Sequence, residues 1–294
     1  TIGHAIESSG KFNMLHGECV GIGMIYMVSE ELKQELKDIL NKYHLPISCN
    51  ITKNELYKYI SLDKKRSDNY ITIIKVLKIG AYEIEKIEIL FRSILSNVVS
   101  EYTGNIFWMT DPSFFASEER FSRTMTLIDK EFKNSKEEFI LHFKSKYSNP
   151  YPPAWILVEI LPLGVVTRIF ENLADNVLRK KIASRFGLPV PVFASWMTII
   201  TLTRNSCCHH SRVWNKENAI SPMIPKNIKV KWIVSKVSPK RIYYNLCIIK
   251  WFVDIISPHN KLKDRLLKLF SDFPMIDTKA MGFPKYWETE PLWM

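Results

Sequence analysis

Arg204, Asn205 and His209 lie within six consecutive residues, in the run Arg204-Asn205-Ser206-Cys207-Cys208-His209-His210-Ser211-Arg212-Val213-Trp214-Asn215. An arginine can hold a phosphate with two parallel hydrogen bonds, and a histidine near neutral pKa can move a proton. Placed together, they suit the handling of a phosphodiester. On a helix, Asn205 and His209 are an i,i+4 pair on one face, with Arg204 flanking it. Structural uses compete with this one: arginine and asparagine at a helix end often make internal hydrogen bonds, and a histidine pair beside tryptophan is often simply packed. Cys207-Cys208-His209-His210 also invites a zinc reading. Four consecutive residues cannot wrap one tetrahedral ion without strain, so that reading is set aside.

The elements that must position these residues read as helices. Ile84, Ile87, Leu90, Phe91, Ile94 and Val98 recur at three- and four-residue steps, and Gly104 is placed as a stop. Ser117 opens a helix to Phe132 with an acidic first turn, and Ser135 to Tyr147 follows. Pro152-Pro153 starts a helix to about Leu173 that Pro162 should kink. Leu173 to Phe186 is closed by Gly187, and the motif helix runs from near Pro191 past Arg204. Ile242 to Ile256 and Lys261 to Leu269 complete the set. Trp155, Trp196 and Trp214 read as core residues, and Glu88 with Arg92 as an i,i+4 pair that is a salt bridge or meets the motif.

No apolar run approaches the roughly 18 residues needed to span a bilayer. Five cysteines without framework spacing fit a reducing cytosol, so the expected compartment is the cytoplasm. The net charge of +11 is unevenly placed. Residues 1–87 carry 12 basic and 11 acidic side chains, against 29 and 19 in the remainder. A field of that sign around the motif favours a polyanion, nucleic acid first, and it also serves plain solubility.

The motif region resembles the abortive-infection (Abi-like) family, itself similar to the HEPN ribonucleases with their Arg-x4-6-His motif. Landmarks in order are Ile87-Glu88-Ile89-Leu90-Phe91-Arg92, Lys146-Tyr147, Pro152-Pro153-Ala154-Trp155, Glu159, Leu163-Gly164, Glu171-Asn172-Leu173, Ser195-Trp196, the Arg204 run, Met281-Gly282-Phe283-Pro284 and Pro291-Leu292-Trp293. Thr201-Leu202-Thr203 is more polar than the family pattern. The resemblance implies a mainly α, HEPN-like helical bundle over residues 83–294, shortened at its N-terminus. It implies phage defence through cleavage or binding of RNA, a small noncoding RNA being one such partner. In a ribonuclease of this kind Arg204 holds the scissile phosphate. His209 serves as base or acid at the ribose 2′-hydroxyl or the leaving oxygen, Asn205 orients one of them, and no metal is needed. His210, Arg212 and Asn215 are RNA-binding candidates, and a homodimer is expected because related enzymes build one site from two copies.

Residues 1–82 read differently. Thr1-Ile2-Gly3-His4-Ala5-Ile6-Glu7, Leu15-His16-Gly17-Glu18 and Leu62-Asp63-Lys64-Lys65-Arg66 resemble the C-terminal part of 3-dehydroquinate synthase, a zinc- and NAD-dependent lyase of the shikimate pathway. The resemblance makes His16 a vestigial zinc ligand, His4 an active-site histidine, and Lys64 and Lys65 contacts for the substrate's acidic groups. The other histidine ligand, the glutamate ligand and the NAD domain would lie upstream of Thr1. The segment is therefore expected to be an inactive, mostly helical remnant with a short strand pair, Ile71 to Gly80 being strand-like, and its zinc and NAD association vestigial. Gly21 and Gly23 read as close-packing glycines, because no strand precedes them to make a phosphate loop. The resemblance changes between Ile79 and Glu88 without a proline- or glycine-rich linker, which reads as two truncated genes joined, by recombination or by mis-assembly of a sequence. Three rivals follow: an RNA-binding module that does not cut, a synthase fragment, and a chain whose two parts do not fold.

Overall fold

The computed structural model describes residues 6–7, 14–26, 28, 30–51, 75–208, 217–225, 232–274 and 276–294. It divides into two compact units, Thr1–Ile73 and Ile74–Met294. The described residues are mainly helical and contain no strand; the sole bridge is an isolated one between Phe115 and Leu173.

The first unit holds α1 (His16–Ile25) and α2 (Glu30–Lys42). Its buried cluster is small: Ile6, Cys19 and Ile22, with Met14, Cys49 and Ile51 against it. Gly21 behaves as the close-packing glycine its context suggests, since a Cβ there would stand 3.2 Å from Leu40 Cδ2 of α2. Helix α2 ends in a left-handed residue, His44 (φ 54°), with Leu45 N–H returning to Leu40 C=O at 2.9 Å and His44 N–H to Asn41 C=O at 3.0 Å. These paired bonds satisfy carbonyls that the last turn leaves free.

The second unit is built around α3 (Lys75–Thr103), a helix of 29 residues. It packs on α6 (Ala154–Leu157), α8 (Asn176–Ser184), α9 (Val190–Cys208), α10 (Ile242–Ile256) and α11 (Leu262–Asp272). Alongside lie α4 (Glu118–Asn134), α5 (Glu138–Lys146) and α7 (Leu163–Asn172), α7 contacting both α4 and α9. Ile84, Ile87, Phe91, Leu95 and Val99 form the buried stripe of α3, the three- and four-residue spacing of an amphipathic helix. Phe91 meets Phe170, Phe186 and Phe193 at centroid distances of 5.6–6.5 Å, and Phe252 closes the group against Phe186 and Phe193.

Local signals fix several helix ends. Ser117 accepts from Arg120 N–H at 3.3 Å at the head of α4, while Gly104 and Gly187, both at φ +65°, follow α3 and terminate the turn after α8. Asp175 caps α8 through Val177 and Leu178 N–H. Asn172 fastens the start of α4 to the end of α7, its amide bonding both the N–H and the C=O of Ser117.

Three expectations need correction. The short strand pair is absent from the described residues, and Lys75–Gly80, read as part of a strand, is helix; residues 71–74 lie outside the described residues. The β-branched run around Ile71–Val76 suggests strand locally, but Lys75 onward continues the helix whose next turns bury Ile84 and Ile87. Second, Pro162 does not kink one long helix. A four-residue α6 passes into a 3-10 turn at Val158–Ile160, and α7 starts afresh after Pro162. Third, Trp155 is 44% exposed, whereas Trp196 is fully buried; Trp214 lies outside the described residues.

Candidate functional site

Arg204 sits just before the last turn of α9. This helix buries Val192, Phe193, Trp196, Met197, Ile199, Ile200, Thr203 and Cys207 along one side, so Arg204 leaves the helix at the edge of the buried face. The extra threonines before it are accommodated inside the helix. Thr201 Oγ1 donates to Met197 C=O at 2.9 Å and Thr203 Oγ1 to Ile199 C=O at 2.8 Å. Each hydroxyl proton is thereby satisfied one turn back, which explains how Thr203 tolerates burial and Thr201 partial burial.

The side chain of Arg204 is 38% exposed, and its Nε lies 3.6 Å from Glu88 Oε2. That separation is charge pairing rather than a hydrogen bond. The other oxygen of Glu88 bonds Arg92 Nη2, one turn further along α3. Arg92 is almost wholly buried and also donates to two carbonyls, Val158 and, at 2.7 Å, Leu161. Those carbonyls belong to the 3-10 turn and to the residue before Pro162, where the helix ladder gives out; Val158 C=O also accepts from Leu161 N–H at 3.3 Å, and its second lone pair takes the guanidinium. Glu88 therefore stands between two guanidiniums, one fixed in the interior and one facing outward. The i,i+4 pair read from the sequence is both a buried salt bridge and a neighbour of the motif.

Asn205, the next residue, is exposed. Cys207 and Cys208 face different surroundings: Cys207 is buried, with burial pushing its thiol up to about 11, and Cys208 is exposed. His209, His210, Arg212 and Asn215 lie outside the described residues, as do His4, Lys64 and Lys65. His16 opens α1, but its side chain is not among those described. The structure thus brings Arg204 to Glu88 and Arg92, and places Asn205 beside it on the surface.

A zinc site of the kind the first segment's resemblance implies needs converging donors. Near His16, Glu18 Oε2 is engaged by Leu15 N–H at 2.8 Å. The Cys19 thiol is buried, and burial, then Glu7 and Glu18, raise its pKa. No group of three His, Cys, Asp or Glu side chains that could hold a metal occurs among the described residues.

Sequence reasoning missed a second polar contact to the motif helix. Asn245 of α10 donates to Thr203 Oγ1 at 3.0 Å and accepts from Asn218 Nδ2 at 2.9 Å. The available signal was a lone amide in the otherwise apolar run Ile242–Ile249, because a buried amide must have partners. No helix among the described residues is long and apolar enough to cross a membrane.

Comparison with known proteins divides the chain. A family model described as 3-dehydroquinate synthase C-terminal matches residues 1–66. The 3-dehydroquinate synthase of Ruminiclostridium cellulolyticum is 41% identical over 90 residues, covering 27% of this chain and 25% of that protein. That of Clostridium botulinum is 43% identical over 91 residues, covering 27% and 26%. The chain thus spans about a quarter of the length of these curated relatives. No solved structure matches. A second family model, described as Abi-like protein, matches residues 39–215, overlapping the first over 39–66. That match covers more than half of the sequence and includes Glu88, Arg92 and the whole Arg204 run, and by it the chain belongs to the Abi-like protein family.

Proposed function

We propose that this Abi-like protein serves abortive infection, the phage defence its family's name stands for, by acting on RNA at Arg204. The observation that carries the reading is the state of that guanidinium. Its Nε edge faces a carboxylate already committed to Arg92, while the side chain remains well exposed. Two terminal nitrogens are left to meet a phosphate, and the carboxylate aims the group without cancelling its charge alone. The surplus of basic side chains outside residues 1–87 supports the same polyanion.

In the HEPN-type reaction we assign, His209 and Asn205 complete the site. The ribose 2′-oxygen loses its proton to a base and attacks the neighbouring phosphorus. The bond to the 5′-oxygen breaks, and that oxygen takes a proton from an acid. Arg204 stabilises the charge that develops on the phosphoryl oxygens. No resident metal or cofactor takes part, and DNA, lacking the 2′-hydroxyl, is a poor substrate. A small noncoding RNA and a second copy of the chain are the partners this reading expects, and the cytoplasm its location.

Incubation of the purified protein with labelled total RNA in excess EDTA, beside Arg204→Ala and His209→Ala, tests it. Cleavage that survives chelation and disappears in both variants supports a metal-independent ribonuclease. Intact RNA that is nonetheless bound in an Arg204-dependent way leaves a binding module. RNA neither bound nor cut by folded protein removes the reading. The synthase-like match at residues 1–66 favours one other activity, 3-dehydroquinate synthesis. We expect that segment to be inactive, and tight uptake of both zinc and NAD in titration would restore it.

A further inference from the structure

Helix α10 buries every residue from Ile242 to Ile249, and Asn245 is the one amide among them, 4% exposed. An apolar side chain of similar size would pack there without needing partners, so stability alone does not call for asparagine. Its bonds are directional. The Thr203 proton is donated to Ile199 C=O, so the Thr203 oxygen receives the Asn245 Nδ2 proton at 3.0 Å. Asn245 Oδ1 in turn accepts from Asn218 Nδ2 at 2.9 Å. Asn218 is itself tied to the approach to α10, its N–H donating to Lys240 C=O at 2.8 Å. Thr203 immediately precedes Arg204, and Asn218 lies three residues beyond Asn215. One buried amide therefore joins the helix that presents the arginine to the chain just past the end of the motif run.

We propose that Asn245 is a positioning residue: by tying Thr203 to Asn218 it holds the C-terminal part of α9, and so sets the direction in which Arg204 leaves the helix. The consequence for RNA rests on the reading of Arg204 given above. The mechanical part does not, because Cys207 reports it independently. Cys207 lies one turn beyond Thr203 on the same buried face of α9.

The test uses the full chain in a Cys208→Ser background, with Asn245→Leu, Thr203→Val, their combination, and Thr203→Ser. Maleimide labelling of Cys207, located by peptide mass, is followed beside RNA binding. Asn245→Leu and Thr203→Val should each speed labelling about fivefold, the factor of one lost hydrogen bond, and weaken Arg204-dependent RNA binding by a similar factor. Thr203→Ser, which keeps the hydroxyl, should match the parent. The combination should do no more than either change alone, since both remove the same bond. The midpoint of Asn245→Leu should stay close to the parent's, whereas Thr203→Val should lose a few degrees, because it leaves the buried Asn245 amide without this acceptor. If Asn245→Leu does not fold, Thr203→Val carries the same comparison with the side-chain shape kept. Parental labelling rates in folded Thr203→Val overturn the proposal whatever the RNA does, and so does a combination whose effects multiply. Faster labelling without any RNA response in the parent supports the tie and sinks the RNA reading instead.

Discussion

Phe91 meets three phenylalanine rings; Glu88, one turn earlier on the same helix, meets two guanidiniums. The first region is held by many weak contacts without preferred direction, so its integrity depends on volume. The second is held by a handful of directional polar contacts, so its integrity depends on each partner. Losing a ring should cost fold; losing an exposed polar partner should cost aim. Arg92 stands between the two, polar in chemistry and interior in position.

That contrast can be broken in order of expected effect. Phe193→Ala removes a ring that touches Phe91, Phe170, Phe186 and Phe252, and should cost about 3–5 kcal/mol in urea unfolding. An unchanged midpoint would mean that the ring cluster is not what holds the second unit. Arg92→Met should cost about 3 kcal/mol, because it leaves Glu88 only the 3.6 Å pairing with Arg204 and the Val158 and Leu161 carbonyls without this donor. Arg92→Lys should recover little of it, since a point ammonium cannot fork to two carbonyls and a carboxylate; full recovery would show that charge alone suffices.

A smaller effect is set by pH. Cys207 is raised from the ordinary 9.0 to about 11 by burial. Its folded state therefore holds the proton more tightly than the unfolded chain, and the stabilisation is complete below 9 and lost as pH rises towards about 11. Cys207→Ala should make the fall in thermal midpoint over this window shallower. It should not abolish it, because burial also raises Tyr244 and Cys247, each to about 12. An identical alkaline profile would count against burial of this thiol. Smallest in stability is Arg204→Ala, expected within about 0.5 kcal/mol of the parent. A large loss there would mean the arginine is a structural partner of Glu88 rather than a group held outward for a ligand.

Much of this fold can be read locally. Ser117, Gly104, Asp175 and Gly187 each act within a few residues of themselves, through caps or a positive φ. The periodic stripe of α3 likewise announces its buried face. What local reading misses is what distant partners decide. Pro162 is visible, but the Val158 and Leu161 carbonyls before it gain their guanidinium partner from Arg92, 66 and 69 residues away. Asn245 is visible too, yet its partner Thr203 is 42 residues away and no periodicity records the pairing. Arg204 and Glu88 stand out by residue type, and only the packing of α3 against α9 brings them together. Lys75–Gly80 shows the reverse case, where a strand-like composition yields to a helix that its neighbours extend.

The ring cluster also has a history within each round of synthesis. Phe91 leaves the ribosome long before Phe252, the ring that closes the group against Phe186 and Phe193. At elongation rates of about 5–20 residues per second, that interval is on the order of 10–30 s. Through all of it, the apolar stripe of α3 is without α10 and α11, its C-terminal packing partners. A nascent chain stalled before residue 242 should therefore be a ready client for holding chaperones, and one released after Trp293 should not.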